Sequence, residues 1–523
     1  MGKRTAWIVG FALLAAAPAI VSNGYGRHVL ILSLIFAFVA LGLNVIFGYA
    51  GQPAFGHPVF FGIGAYTSAL LTIEAHWPIA LALLASAVVA SAVAVLVAYP
   101  SFRLRGIYFG MTTIAFAYVI YVIAENWIGL TRGPMGIPSV PPFVLLPPRW
   151  AFGMGNDVQV HLLLVAVLAL AAGATARLVR SPIGRAWIAL RENESLAASI
   201  GIRPLRYKMA AFLYGAALAG LGGGFYAHYI GFVSPDTLSF HTVAIVLIML
   251  IGGGMGTLAG PLIGAIVFGV LPELLRAAAQ ARDLVLGVTL LASIAFLPEG
   301  LVGLWARLEP FVPWRGSRRA VPAPLPTAAP ATTLGAWRSR AAAGQLEVAG
   351  LTKEFGGVAA VRKVSFRAAA GEIVGLIGPN GAGKTTLFNM IAGALPPTAG
   401  ELRYDGRAVT GFPPAEMARL GIARSFQITS LFPALGAAEN LRTATHLRAA
   451  SRFAEALLRT ARVRAQESGI ETVIAEIRAC GGRAAHAATP AKALSYGDQR
   501  RLEVGIALAT GCRLLLLDEP CAG

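Results

Sequence analysis

The run Gly378-Pro-Asn-Gly-Ala-Gly-Lys-Thr385 fits G-x-x-x-x-G-K-[ST] without a mismatch, and each residue type has a physical task there. Gly378, Gly381 and Gly383 let the backbone turn tightly and bring its N–H groups up to a β-phosphate. Lys384 places a charge between β- and γ-phosphates, and Thr385 offers a hydroxyl to Mg²⁺. The following helix, from Thr386 on, presents free N–H groups to the anion; Asn380 and Thr386 complete the loop's nucleotide-binding set. A second constellation is Leu514-Leu-Leu-Leu-Asp518-Glu519, a buried parallel strand ending in two carboxylates. Phosphoryl transfer needs that division of labour: Asp518 to help hold Mg²⁺, Glu519 to polarise water.

P-loop, Gln427, Leu494-Ser-Tyr-Gly-Asp-Gln499 and the acidic pair occur in the order of an ATP-binding cassette, and the region from Leu346 resembles that family. The resemblance implies that Gln427 reaches Mg²⁺ and the attacking water, and that Phe355 stacks on adenine, with core packing as its other reading. It implies too that Ser495 and Gly497 open a helix whose N-terminus meets the γ-phosphate held by a partner cassette. Asp498 departs mildly from the usual signature. The sequence given stops at Pro520-Cys-Ala-Gly523, before the family's D-loop and switch histidine. That predicts ATP binding without turnover at the chain's own P-loop, and an exposed apolar edge at Leu514 to Leu517.

These residues need an α/β scaffold, and Leu346-Glu-Val-Ala-Gly-Leu, Val364-Ser-Phe and Glu372-Ile-Val-Gly-Leu-Ile read as its short strands. The rest of the chain is of another kind. Across 523 residues, 56% are hydrophobic and 13% charged, too apolar for a soluble protein throughout. Apolar spans of about 20 residues, about 30 Å as helix, fall at 7–21, 28–48, 53–73, 78–99, 106–128, 158–179, 208–230, 241–254, 257–272 and 283–304. The first of these also reads as a cleavable signal peptide, but Lys3-Arg4 and a cytosolic P-loop fit a membrane helix with its N-terminus inside. The fold class expected is therefore a polytopic α-helical membrane domain of about ten spans followed by an incomplete α/β P-loop cassette.

The formal net charge of +18 is spread over loops beside these spans and over the linker, without an aromatic-interleaved patch. It points to anionic membrane lipid and the cytoplasmic bias of Lys and Arg, and excludes nucleic acid as partner. Cys480, Cys512 and Cys521 lack metal-ligand spacing and read as reduced cytosolic thiols.

Between two spans, residues 181–202 carry two short amphipathic stretches, which suit either a docking element or an ordinary cytoplasmic loop. Their spacing, with Gly201 after the acidic, alanine-rich Glu194 stretch, resembles the coupling loop of bacterial ABC-importer permeases. Gly48-Tyr-Ala-Gly-Gln-Pro-Ala-Phe-Gly-His57 puts Gln52 and His57 at membrane depth, where polar groups line a path or are satisfied within close packing. That run, Arg191-Glu-Asn-Glu194 and Leu250-Ile-Gly-Gly-Gly-Met-Gly-Thr-Leu-Ala-Gly-Pro261 resemble the LivM permease family of branched-chain amino-acid importers.

The domains expected are a permease over 1–310, a basic Ala/Pro-rich linker over 311–344, and a LivG-type cassette over 345–523. The resemblance implies ATP and Mg²⁺ as cofactors, a bacterial inner-membrane location and ATP-driven uptake of branched-chain or other apolar amino acids. It also implies three partners: a second permease of the LivH kind, a second cassette of the LivF kind and an external solute-binding protein. An importer of urea or short amides, and a hydrolysis-deficient fragment, are the alternatives.

Overall fold

The computed structural model describes residues 3–21, 23–104, 106–143, 156–270, 282–308, 344–425, 430–448, 453–458, 460–480 and 489–518. They form two compact units: Met1–Val179 with Lys208–Arg315, and Arg180–Tyr207 with Gly316–Gly523. The expected linker over 311–344 lies outside the described residues except for Gly344.

The first unit is helical. Six stretches are long and apolar enough to cross a membrane: Gly24–Tyr49, Ile79–Ser101, Ile107–Asn126, Asn156–Val179, Pro204–Ile230 and Gly287–Leu304. Trp7–Ile20, Val59–Ile73 and Phe240–Gly253 are shorter apolar helices, and Gly260–Phe268 has nine residues. All ten predicted stretches thus contain helix, but not as ten uniform spans. The third helix begins only at Val59, because Pro53 and Pro58 keep the preceding residues out of it. Pro298 separates Arg282–Phe296 from Gly300–Leu308 within the last. Gly254, at φ +128°, ends the helix Phe240–Gly253.

Small residues let these helices approach. A Cβ on Gly215 would stand 2.6 Å from the carbonyl oxygen of Gly42, so the backbones cross with no room for a side chain. A π-helical turn, Asn44–Tyr49, is pinned across the unit: Asn44 Nδ2 donates to Thr257 O (2.7 Å) and its Oδ1 accepts from Gly256 N (2.8 Å). His57 is fully buried with its ring edge-on to Phe60 at 5.7 Å, while Gln52 Nε2 donates to Ala50 O at 3.2 Å. Large aliphatic side chains such as Leu96, Leu170 and Leu291 face outward, as a lipid solvent permits. A two-residue ladder pairs β1 (Ile137–Pro138) antiparallel with β2 (Phe232–Val233).

The second unit is α/β. Strands β3 (Leu346–Phe355), β4 (Val358–Ala368), β5 (Ala399–Tyr404) and β6 (Arg407–Ala408) form an antiparallel sheet in the order β4-β3-β5-β6. A separate parallel pair joins β7 (Ile422–Arg424) to β8 (Leu514–Leu516) in the register Ile422↔Leu514. The strand expected at Glu372-Ile-Val-Gly-Leu-Ile377 does not form: the segment joins no sheet, and Ile373 and Ile377 are 98% and 96% exposed. A strand exists only through ladder bonds to neighbours, and among the described residues none lies beside it. The exposed apolar edge is consequently here, whereas Leu516 is buried and Leu514 and Leu515 are half-buried.

Candidate functional site: a phosphate loop, a buried carboxylate and a docked loop

The helix Lys384–Ile391 starts on Gly383, whose φ of +85° only glycine adopts without strain; a Cβ there would also strike the carbonyl of Ala360 on β4. The loop therefore closes against the β3–β4 hairpin. Lys384 Nζ donates to Gly378 O (2.6 Å) and Pro379 O (2.8 Å), so its ammonium is held over the mouth of its own loop. Thr385 and Thr386 are half-buried in the helix's first turn, and Asn380 and Gly381 are exposed on the loop. Backbone N–H groups, one ammonium and two hydroxyls thus converge at a helix N-terminus, the equipment for binding phosphate.

Asp518 follows β8 and is 5% exposed. Its backbone N–H donates to Ser425 Oγ (3.0 Å), and its Oδ2 meets Arg424 Nη2 at 3.4 Å. Arg424, at the end of β7, also donates through Nη1 to Asn389 Oδ1, on the helix that follows the phosphate loop. Burial lowers the pKa of Arg424, and Asp518 counters that effect. One guanidinium thereby ties the carboxylate to the phosphate-loop helix. Sequence reasoning missed this: Arg424 stood beside the glutamine of interest, and no spacing rule marks a buried arginine at a strand end. Gln427 and Glu519 lie outside the described residues.

Phe355 closes β3 at the hairpin with Val358 and is 49% exposed, with Lys353 Nζ 5.3 Å from its ring centroid. One face of the ring is thus met by Lys353, and the residue is half exposed. Ser495 is the N-cap of the helix Tyr496–Ala509: its Oγ accepts from Asp498 N (3.2 Å) and donates to Asp498 Oδ2 (2.7 Å). Ser495 and Gly497 are exposed, and the space beside the Gly497 Cα is open. The phosphate loop thus abuts Ala360 of the Phe355 hairpin, and Asp518 is linked through Arg424 to Asn389 on the helix that follows the loop, while Ser495 bonds within its own helical turn.

Residues 180–207 belong to this unit by packing, although in sequence they lie between two membrane helices. Ser181 caps Pro182–Glu192 by accepting from Ile183 N (3.1 Å), Pro182 takes the first helical position, and Asn193 caps Glu194–Ser199 by accepting from Leu196 N (3.0 Å). The apolar faces, Ala186, Leu190, Leu196 and Ile200, share one core with Phe432, Leu441, Ile474 and Ile506. Trp187 is fully buried and donates from Nε1 to Tyr207 O at 2.9 Å. Polar contacts ring that core. Arg185 meets Glu467 (3.4 Å), Glu192 Oε2 accepts from Ala434 N (3.2 Å), and Arg203 meets Glu416 (3.4 Å). Tyr207 Oη lies 2.9 Å from His446 Nε2. Burial and the guanidinia of Arg185 and Arg419 push His446 down to about 4.

Membrane-length helices and a nucleotide-binding unit on one chain, with a loop of the first packed into the second, define a subunit of an ATP-driven membrane transporter. Residues 27–294 match the family described as "Branched-chain amino acid transport system / permease component", and residues 361–522 match "ABC transporter". The chain is 34% identical over 320 residues to the high-affinity branched-chain amino acid transport system permease protein LivM of Escherichia coli, covering 57% of this chain and 75% of that protein. It is 41% identical over 178 residues to the ATP-binding protein BraF of Pseudomonas aeruginosa, and 42% identical over 179 residues to LivG of Salmonella typhimurium. Each of these alignments covers 34% of this chain and 70% of the relative. The chain belongs to the branched-chain amino acid permease family and carries, fused to it, an ATP-binding cassette of the ABC transporter family.

Proposed function

We propose that this chain is the fused permease and motor subunit of an importer of branched-chain amino acids, in which residues 181–202 convey cassette movement to the membrane helices. The single observation that carries this reading is the loop's shared core with the cassette, Ala186, Leu190, Leu196 and Ile200 against Phe432, Leu441 and Ile506. The permease would run over 1–310, the linker over 311–344 and the cassette over 345–523. The named relatives favour branched-chain amino acids over urea as solute.

At the cassette, Lys384 and the loop N–H groups would bind the β- and γ-phosphates of ATP. Thr385, Gln427 and Asp518 would hold Mg²⁺, and Glu519 would polarise the attacking water with Gln427 beside it. The donor set suits that ion: hydroxyl, amide and carboxylate oxygens are hard ligands. Asp518 is held by Arg424, whose Nη2 lies 3.4 Å from its Oδ2. Phe355 would stack on adenine. Ser495 and Gly497, exposed on their own turn, would complete a partner cassette's site, which calls for a second cassette, a second permease and an external binding protein. The cassette side would face the cytoplasm of a bacterial inner membrane, since Lys3-Arg4 and the basic residues of 177–208 mark the inside.

Reconstitution tests this. With the companion subunits, proteoliposomes should accumulate leucine only when ATP is on the cassette side. Uptake of urea but not leucine would overturn the solute assignment.

A further inference from the structure

The parallel strands β7 and β8 carry Arg424 and Asp518 at their carboxyl ends, where the nucleotide residues gather. At their amino ends, marked by Gly421 and Arg513, the same unit carries a different, open cavity of about 570 Å³, a volume ordinary for small-molecule sites. Tyr404, Arg407, Arg419, Arg448 and Arg513 line it, with Asp405 as its carboxylate. That carboxylate is already committed: its Oδ1 accepts from the backbone N–H groups of Gly344 and Gln345, both at 2.9 Å.

Two of the guanidinia are placed by close neighbours. Arg407 lies 5.4 Å from the centroid of the Phe412 ring, and Arg448 Nη2 is so close to the Gly511 backbone that a Cβ there would be 2.8 Å from it. Arg419 is crowded further by Arg203 and Arg206, with Glu416 as the compensating neighbour. Four arginines around one occupied carboxylate form an electrostatic arrangement that an anion relieves.

A second observation points the same way. Tyr404 is 3% exposed, and its buried hydroxyl has no hydrogen-bond partner among the described residues. Native interiors rarely leave such a group unsatisfied. Burial pushes this phenol up to about 12, so at neutral pH it remains an O–H donor, the form an anionic oxygen accepts from.

We propose that this cavity is an anion site, separate from the nucleotide site, in which Tyr404 and the four arginines bind the phosphate group of a phosphorylated small molecule. Guanidinium forks suit phosphate oxygens, and the volume leaves room for an organic part of nucleotide size. A free metabolite and a phospholipid headgroup present the same group.

The test uses the full chain carrying Lys384→Ala, to weaken phosphate binding at the P-loop, in nanodiscs of phosphatidylcholine, titrated with pyrophosphate by calorimetry. Saturable one-site binding is expected. Tyr404→Phe should weaken it roughly tenfold, and Arg513→Gln by at least as much, the loss expected for a charge-assisted bond. Tyr404→Phe should not lower the melting temperature without pyrophosphate, since its hydroxyl has no partner to lose among the described residues. Absence of saturable binding, or equal binding in both variants, would overturn the site. Repeating the titration in nanodiscs containing phosphatidylglycerol identifies the source: lost pyrophosphate binding assigns the site to a headgroup, and unchanged binding to a soluble phosphate.

Discussion

Lys384 shows how one side chain can be separated from the fold around it. Among the described residues its Nζ donates to the carbonyls of Gly378 and Pro379, so truncation removes a charge at the phosphates without opening a core. Lys384→Ala should lower ATP-driven uptake by a factor on the order of 10² to 10³, the usual loss for one preorganised electrostatic contact. Membrane insertion should be unchanged, which fractionation of the variant checks. Arg424 is the opposite case. Its guanidinium and the Asp518 carboxylate have side chains only 5% and 6% exposed, so removing the cation strands a buried charge. Arg424→Leu should destabilise the cassette by about 3–5 kcal/mol, and thermal melting of the purified chain with and without ATP would register it. The motif residues of the phosphate loop were legible because their chemistry needs fixed types at fixed spacing. Arg424 was not, because its role arises from β7 and β8 pairing across some ninety intervening residues.

At the scale of elements, the loop 181–202 was legible as two amphipathic stretches, and its caps Ser181 and Asn193 sit where such stretches should begin. What periodicity could not supply was the surface it packs on, which is assembled from segments between Leu431 and Ile506. The strand before the phosphate loop failed in the other direction. Residues 372–377 have strand composition, yet a pattern cannot create the neighbours a ladder requires. The loop's packing has two measurable consequences. Trp187→Ala deletes a fully buried indole and its bond to Tyr207 O; it should cost about 3–5 kcal/mol and lower uptake while ATP binding persists, as nucleotide-binding assays would report. His446 sets a pH limit. Its folded pKa of about 4 lies below the unfolded 6.5, so its contribution is fully present above pH 6.5 and is lost as pH falls toward 4. Hydrogen exchange in residues 186–200 should rise over that window, and His446→Gln should flatten the rise.

For the whole molecule, fusion makes the permease and motor one chain, while the loop 180–207 belongs to the motor by packing and to the permease by sequence. Composition alone separated the apolar half from the α/β half. The lengths of individual membrane helices were less readable, because prolines at 53, 58 and 298 and glycine at 254 shorten elements that hydropathy draws as continuous. The central claim is that nucleotide work reaches the membrane through the loop. Glu192 tests it most directly: its Oε2 accepts from Ala434 N, and it lies outside the phosphate site. The measurement is leucine accumulated per ATP hydrolysed in proteoliposomes holding the assembled transporter with Glu192→Lys. The account predicts ATPase close to the parent and a transport ratio lowered at least roughly tenfold, the effect of losing about 1.4 kcal/mol of coupling. An unchanged ratio at unchanged ATPase would contradict it.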